Sequence, residues 1–414
     1  MNMRVLVISH MYPTIASPLG GIFVQKQAEA LAARGTEVTV VHPTPYVPAV
    51  FRFFPRWGHY ARIPRRETVN GIEVRHPRVL EFPRGYFFDW YPKTYIRGMK
   101  RTLAGLIKTK KPDIIHAHVA HPDGAAAVYF GKKYGIPVVV TIHGQDFAHT
   151  LYRSPRCERS LKTTLALADR VVLVSDKLRH NYGLDDWADD LTKYRVIYNG
   201  VNLEELAEDT RAERDKAEKG GAGEGEKAPV LVTVGFLRKF KGHAYVLEAL
   251  PVLLPKYPGL LYHIVGDGAE RQVLEKQARE LGLEKNVLFL GSLSHAEAMK
   301  EIARSDLFLM PSWNEAFGVV YLEALAHGKP VIGTKGEGIA PIIEREQVGI
   351  TVPARNAKAL AEALDLLLSH PESSRQMGER GRALVRREFT WEQNALQTCG
   401  LYQEILNSDQ RDFA

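Results

Sequence analysis

Among the residues whose types and spacing could do chemistry, Glu315 and Glu323 come first, because of what surrounds them. The chain holds five Glu pairs eight apart, so the interval by itself decides nothing. In PSWNEAFGVVYLEALAHGKPVIGT (311–334), however, Glu315 follows an apolar strand-like run, Gly318 opens a helix and Glu323 falls two turns into it. A carboxylate in such a loop can accept hydrogen bonds from sugar hydroxyls. The helix-start amides of Phe317, Gly318 and Val319 can cradle a phosphate, and a carboxylate on the helix can grip both hydroxyls of a ribose.

A second strand–loop–helix, VTVGFLRKFKGHAYVLEAL (232–250), places Gly235 at a strand end and Arg238, Lys239 and Lys241 in the loop before Gly242. Fixed cations there can neutralise a departing diphosphate, work that metal ions do elsewhere. TIHGQD (141–146) follows another apolar run, so His143 and Asp146 are expected at its carboxyl end and outside the core. After the first strand, Gly20 and Gly21 precede a helix that ends at Gly35. Glycine there lets backbone amides approach a phosphate or sugar. Gly21 is expected on a donor side, and Gly20 with Asp146 on an acceptor side. Gly336 and Gly338 in TKGEGI (334–339) make a further loop that could wall a nucleotide.

These loops need strands to hold them, and the sequence supplies ten short apolar runs alternating with helical patterns. They begin with MRVLVIS (3–9) and end with PVIGT (330–334). Such alternation predicts parallel sheets with helical crossovers, and near-continuous apolarity means both sheet faces are covered. Ligands then belong outside the carboxyl ends of the strands, where the residues above lie. Residues 204–229 are charged and almost without large apolar side chains, and read as a loop or frayed helix near a domain join. A final amphipathic helix is expected over 390–406.

At 414 residues, with 45% hydrophobic and 25% charged side chains, the chain suits two globular domains. Two cysteines make neither a disulfide framework nor a zinc site, and no DxD-type motif follows a strand, so no metal and no cofactor are expected. The start is too short in apolar residues for a signal peptide and no run could span a bilayer, so a cytoplasmic location is expected.

Together these stretches resemble the family-four retaining glycosyltransferases with the GT-B fold, over essentially the whole chain. The resemblance rests on the E-x7-E block with its PSWNEAFG and EALAHGKPVI flanks, on VIYNGVN (196–202) and on VGFLRKFKG (234–242). It implies an α/β chain of two Rossmann-like doubly wound domains facing a cleft. Residues 1–198 would bind the acceptor, joined by a C-terminal helix from about 390 to 414 that packs back on them. Residues 199–389 would bind a nucleotide diphosphate-sugar. It also implies that His143 lies beside the transferred sugar, that Glu315 and Glu323 bind donor sugar and ribose, and that Lys241 contacts the diphosphate. The family has Arg where this chain has Phe236, and Arg238, two positions on, is the candidate replacement.

Residues 1–200 carry 29 Lys and Arg against 16 Asp and Glu, although the whole chain is only +7. Within 51–111 the basic residues interleave with twelve aromatic ones, a composition suited to a lipid headgroup boundary. Peripheral contact with an anionic membrane surface on the inner face of the cell membrane is expected. So is a lipid-linked or polysaccharide acceptor, as in bacterial surface-polysaccharide and teichuronic-acid-type enzymes. Nucleic acid is not expected, since no reading motif accompanies the charge. A UDP-sugar is favoured over GDP-mannose as donor. The rivals are a non-catalytic sugar-nucleotide-binding scaffold, a UDP-sugar 2-epimerase, which would lack the E-x7-E block, and a nicotinamide oxidoreductase, for which the G-x-G-x-x-G fingerprint is missing.

Overall fold

The apolar runs become strands because residues such as Val5, Ile114, Val139, Val232 and Ile332 are covered from both sides, and only a central parallel strand meets helices on each face. The computed structural model describes residues 3–180, 182–203 and 228–409. The chain divides into two units, Met1–Asn199 with Trp391–Ala414, and Gly200–Thr390. Most of the charged segment at 204–229 lies outside the described residues.

In the first unit the strands are β1 (Arg4–Ile8), β2 (Glu37–Val41), β3 (Thr44–Pro45), β4 (Arg66–Val69), β5 (Ile72–Arg75), β6 (Arg78–Val79), β7 (Ile114–His118), β8 (Val138–Ile142), β9 (Arg170–Leu173) and β10 (Tyr194–Val196). Eight of them form a sheet in the order β10-β9-β8-β7-β1-β2-β5-β4, parallel except for the edge pair β4–β5, and β3 pairs with β6 separately. Chain order reverses between β1 and β7, so the loops after those two strands part and leave a crevice. The helix Ile22–Ala33 packs on this sheet beside the C-terminal helix Trp391–Asp409, whose Leu401, Tyr402 and Ile405 enter the core of Val5, Val7, Val40 and Val139. Polar ties fix that docking: Gln27 Nε2 donates to Asn394 Oδ1 at 2.7 Å, and the Tyr402 hydroxyl meets buried His116 Nδ1 at 2.5 Å.

The second unit holds β11 (Val230–Val234), β12 (Leu261–Val265), β13 (Val287–Gly291), β14 (Leu307–Leu309), β15 (Val331–Thr334) and β16 (Gly349–Val352). They lie in the order β13-β12-β11-β14-β15-β16, all parallel, which is the doubly wound Rossmann order with its switch between β11 and β14. Its core packs Leu231, Ile264, Leu309 and Ile332 against Leu247 and Leu250 of the helix His243–Leu253 and Leu364 of the helix Ala357–Ser369. Among the described residues no helix is long and apolar enough to cross a membrane.

Candidate active site

At the β11/β14 switch of the second unit, two loops carry the expected donor residues. After β11, Gly235 leads through Arg238 into a tight turn at Lys239–Lys241, and Gly242 starts the next helix. After β14 the chain runs from Met310 to Gly318 and enters the helix Val319–Ala326. Lys241 Nζ meets Glu315 Oε2 at 2.5 Å, with the two side chains only 16% and 18% exposed. A cation and a carboxylate, 74 residues apart in the chain, thus share one half-buried spot at the strand ends. Such a pair can present positive charge to a phosphate and an acceptor oxygen to sugar hydroxyls at once.

The Glu315 backbone is pinned from a third loop. Glu337 Oε2 accepts the Glu315 amide at 2.7 Å and Oε1 the Asn314 amide at 3.2 Å, so the TKGEGI turn braces the loop that carries Glu315 through a side chain. Gly318 has φ 85, a left-handed conformation that favours glycine, and a Cβ there would stand 2.8 Å from the Tyr321 ring. The first amides of the following helix lack intrahelical acceptors, which makes its start suited to an anion. Phe317 contributes differently from its neighbours: its side chain is buried and packs on Phe389 at a ring distance of 6.4 Å, so only its backbone faces the turn. Glu323 is the fifth residue of the helix, just over one turn in and not the expected two. Its Oε1 meets His295 Nε2 at 3.0 Å, a partner contributed by the neighbouring helix His295–Arg304. Arg238 is exposed, lies 6.0 Å from the Phe236 ring centroid and makes no ion pair among the described residues.

The first unit builds a second constellation at its own β1/β7 switch. His143, just past β8, stacks on His118 at the end of β7 with ring centroids 5.2 Å apart, and His118 Nδ1 and His143 Nε2 hydrogen-bond at 2.9 Å. Burial, and then the neighbouring His116, push His143 down to about 3, so it acts as a neutral imidazole near pH 7. Phe23, in the first turn of the helix after Gly21, lies 4.4 Å from the His143 ring and brings that glycine turn beside it. Gly21 has φ 73, and a Cβ on it would lie 2.3 Å from the Met11 carbonyl carbon, so the turn needs glycine there. Gly20 closes the preceding turn, its amide donating to the Ser17 carbonyl at 3.1 Å.

Asp146 corrects an expectation, since it is 1% exposed and inside the core. Its Oδ1 accepts the Ala120 amide at 2.7 Å, and burial raises its carboxyl to about 7. It braces the segment Val119–Gly124 after β7, where Val119 takes φ 70, a strained conformation for a β-branched residue. That segment delivers Asp123, whose Oδ2 accepts both the His10 amide at 3.0 Å and His10 Nδ1–H at 2.5 Å. Burial works against charge on His10, but the Asp123 carboxylate outweighs it and holds the imidazolium up to about 9. The His10 side chain is 37% exposed, so a charge-assisted donor stands at the mouth of the crevice.

His10, Asp123, His118, His295 and Glu337 were therefore missed from the sequence. His118 sits in DIIHAHV, whose apolar pattern reads as strand. His10 and Asp123 are 113 residues apart and carry no shared motif. Only the switch-point rule, applied to the loop after β7, could have pointed to Asp123. Among the described residues no cluster of three His, Cys, Asp or Glu is placed to hold a metal ion.

Residues 215–384 match the family described as Glycosyl transferases group 1, and residues 20–205 the one described as Glycosyltransferase Family 4. The chain is 31% identical to D-inositol 3-phosphate glycosyltransferase of Corynebacterium urealyticum over 306 residues, covering 71% of this chain and 72% of that protein. Sucrose-phosphate synthase from Thermosynechococcus elongatus is similar in structure with a TM-score of 0.77, at 23% identity and over 98% and 100% of the two chains. HepE of Anabaena in complex with UDP gives 0.71, at 18% identity and over 97% and 100%. Both units are covered, and the fold is GT-B.

Proposed function

We propose, from the premise that this chain belongs to the glycosyltransferases of group 1 and family 4, that it transfers a hexose-type sugar with retention and without metal, from a UDP-sugar to a phosphate-bearing lipid-linked or polysaccharide acceptor. The observation that carries the reading is the half-buried Lys241–Glu315 pair at the β11/β14 switch, beside the start of the Val319 helix. The second unit then binds the donor and the first the acceptor. Glu323 holds the ribose, Glu315 the sugar hydroxyls, and Lys241, Arg238 and the helix-start amides the diphosphate.

In the reaction the bond from the anomeric carbon to the diphosphate breaks while the acceptor oxygen bonds the same face. The acceptor's proton passes to the departing β-phosphate oxygen, leaving a glycosylated acceptor and a nucleoside diphosphate. Charge builds on the diphosphate through an oxocarbenium-like transition state, where fixed cations stabilise it more than in the ground state. Neutral His143, carried by the acceptor-binding unit, can donate or accept a hydrogen bond there without adding charge. The UDP reading is supported by the UDP complex of the structurally similar HepE, and a phosphate-bearing acceptor by the inositol phosphate named for the sequence relative.

Contact with an anionic membrane surface is supported by exposed Phe53, Phe54, Tyr86, Phe87 and Trp90, on loops that leave the adjacent strands β3 and β6. Product anomeric configuration, read by proton NMR from a UDP-sugar of known anomer in the presence of a chelator, tests the chemistry. Retention without metal is expected, whereas inversion, or activity restored only by a divalent cation, contradicts it.

A further inference from the structure

On the helical side of the first unit, the helices Tyr91–Lys110, Ala125–Tyr134 and Pro155–Leu167 enclose a groove of about 700 Å³. Its walls include Ile96, Ala125, Val128, Tyr129 and Leu167. Tyr129 and Leu167 remain 45% and 54% exposed, so apolar surface there is left in water. The rim is cationic, with Lys93, Lys132, Lys133, Arg156 and Arg159. Its one acid, Asp89, is taken by Arg156 at 3.2 Å. Lys133 lies over the Tyr134 ring at 5.2 Å, while Lys93, Lys132 and Arg159 make no ion pair among the described residues.

An apolar floor under an uncompensated basic rim complements one kind of molecule, an amphiphile with an anionic head. A free phosphate would leave the floor unused, and a neutral hydrocarbon the rim. Size agrees, since small-molecule sites run from about 300 to 1,000 Å³. The groove also ends at Asp89, between the exposed aromatic residues Phe87 and Trp90. We propose that this groove binds the chain of an anionic lipid, with its head on Lys132, Arg159 and Lys93. The site rests on the membrane-surface reading above and adds to it a bound lipid molecule where that reading needs only surface contact.

The test uses the full chain and dodecyl phosphate below its micellar concentration, followed by calorimetric titration. Inorganic phosphate and dodecyl maltoside serve as the single-feature controls. Expected is one equivalent of dodecyl phosphate bound, weakened at least about tenfold both by Lys132→Glu with Arg159→Glu and by the groove-filling Val128→Trp. Circular dichroism melts of each variant keep a folding defect from passing as a binding one. Equal binding of phosphate alone, equal binding of the maltoside, or unchanged affinity in folded variants overturns the proposal.

Flotation with phosphatidylcholine vesicles, with and without phosphatidylglycerol, separates the two readings. Loss of vesicle association in Phe53→Ser with Trp90→Ser, with dodecyl phosphate binding retained, is expected. Vesicle association by wild type without any dodecyl phosphate binding overturns the groove alone. Unchanged flotation of the aromatic variant overturns the loop contact alone.

Discussion

Under the proposed function each candidate side chain meets a different part of the donor and should fail in its own way when removed. Glu323→Ala removes a charged acceptor of ribose hydroxyls and is expected to weaken UDP binding by roughly ten- to a hundredfold, with turnover at saturation little changed. Glu315→Ala leaves Lys241 half-buried without its carboxylate and removes contacts made to the reacting sugar, so a fall in kcat of about a hundredfold is expected with KM moving less. Steady-state kinetics with titrated donor check both, and wild-type values in the two variants would mean the site is misassigned. The placement of Glu315, Glu323 and Lys241 at the β11/β14 switch was legible because each sits at a fixed offset from a strand end and a glycine. The placements of Glu337 and His295 were not, because a carboxylate that accepts two amides across 22 and 23 residues, or a histidine reaching forward 28, follows from how loops meet in space. Asp146 was misread for a related reason: it follows a strand, but the loop turns it inward onto Ala120.

At the scale of elements, the proposed donor site depends on a sharp entry into a helix of only eight residues, Val319–Ala326. Gly318→Ala puts a Cβ at φ 85, 2.8 Å from the Tyr321 ring and 3.3 Å from Glu315 Cγ. It is expected to cost about 1–2 kcal/mol of stability and to weaken donor binding together with it. Denaturant midpoints and UDP titration of the same variant check this, and an unchanged midpoint would mean the turn relaxes freely. Strands buried on both faces were readable as apolar runs. The edge hairpin β4–β5 was not, since RETV is polar up to its last residue and IEVR alternates apolar with polar, so both read as surface. Its signal lay in the turn, where Asn70 and Gly71 have φ 48 and 82, the paired left-handed residues of a two-residue hairpin. The strand order, and hence both crevices, followed only once the pairing was known.

For the whole molecule, the uneven distribution of buried histidine predicts uneven acid stability. Burial holds His42, His116 and His143 down to about 3 and lowers His76, His118 and His121, all in the first unit, while among the described residues of the second His243 is held down to about 4 and His327 is also buried. Below the free imidazole value near 6.5 the unfolded chain takes up these protons and the folded chain does not. Stability is therefore full above that pH and is lost as pH falls toward 3, by up to about 1.4 kcal/mol per pH unit for each such histidine. His10, held up to about 9, and Asp146, raised to about 7, bind more protons folded than unfolded between pH 7 and 5.5, so these two offset part of the loss from the six histidines without cancelling it. Hydrogen exchange corrected for intrinsic rates should show protection of β7 and β8 falling more steeply than that of β11 and β14 between pH 7 and 5.5. Equal loss in both sheets would contradict it.

In the proposed function the second unit carries a metal-free site for a nucleoside diphosphate. Thermal unfolding in chelator with UDP, GDP and ADP, for wild type and Glu323→Ala, tests it most directly. A ligand at a hundred times its Kd adds about 2.7 kcal/mol to the folded state. A rise in Tm is expected that is largest for UDP, persists in chelator and shrinks in Glu323→Ala. No shift with any of the three at about millimolar concentration, or a shift that the variant leaves untouched, would contradict it.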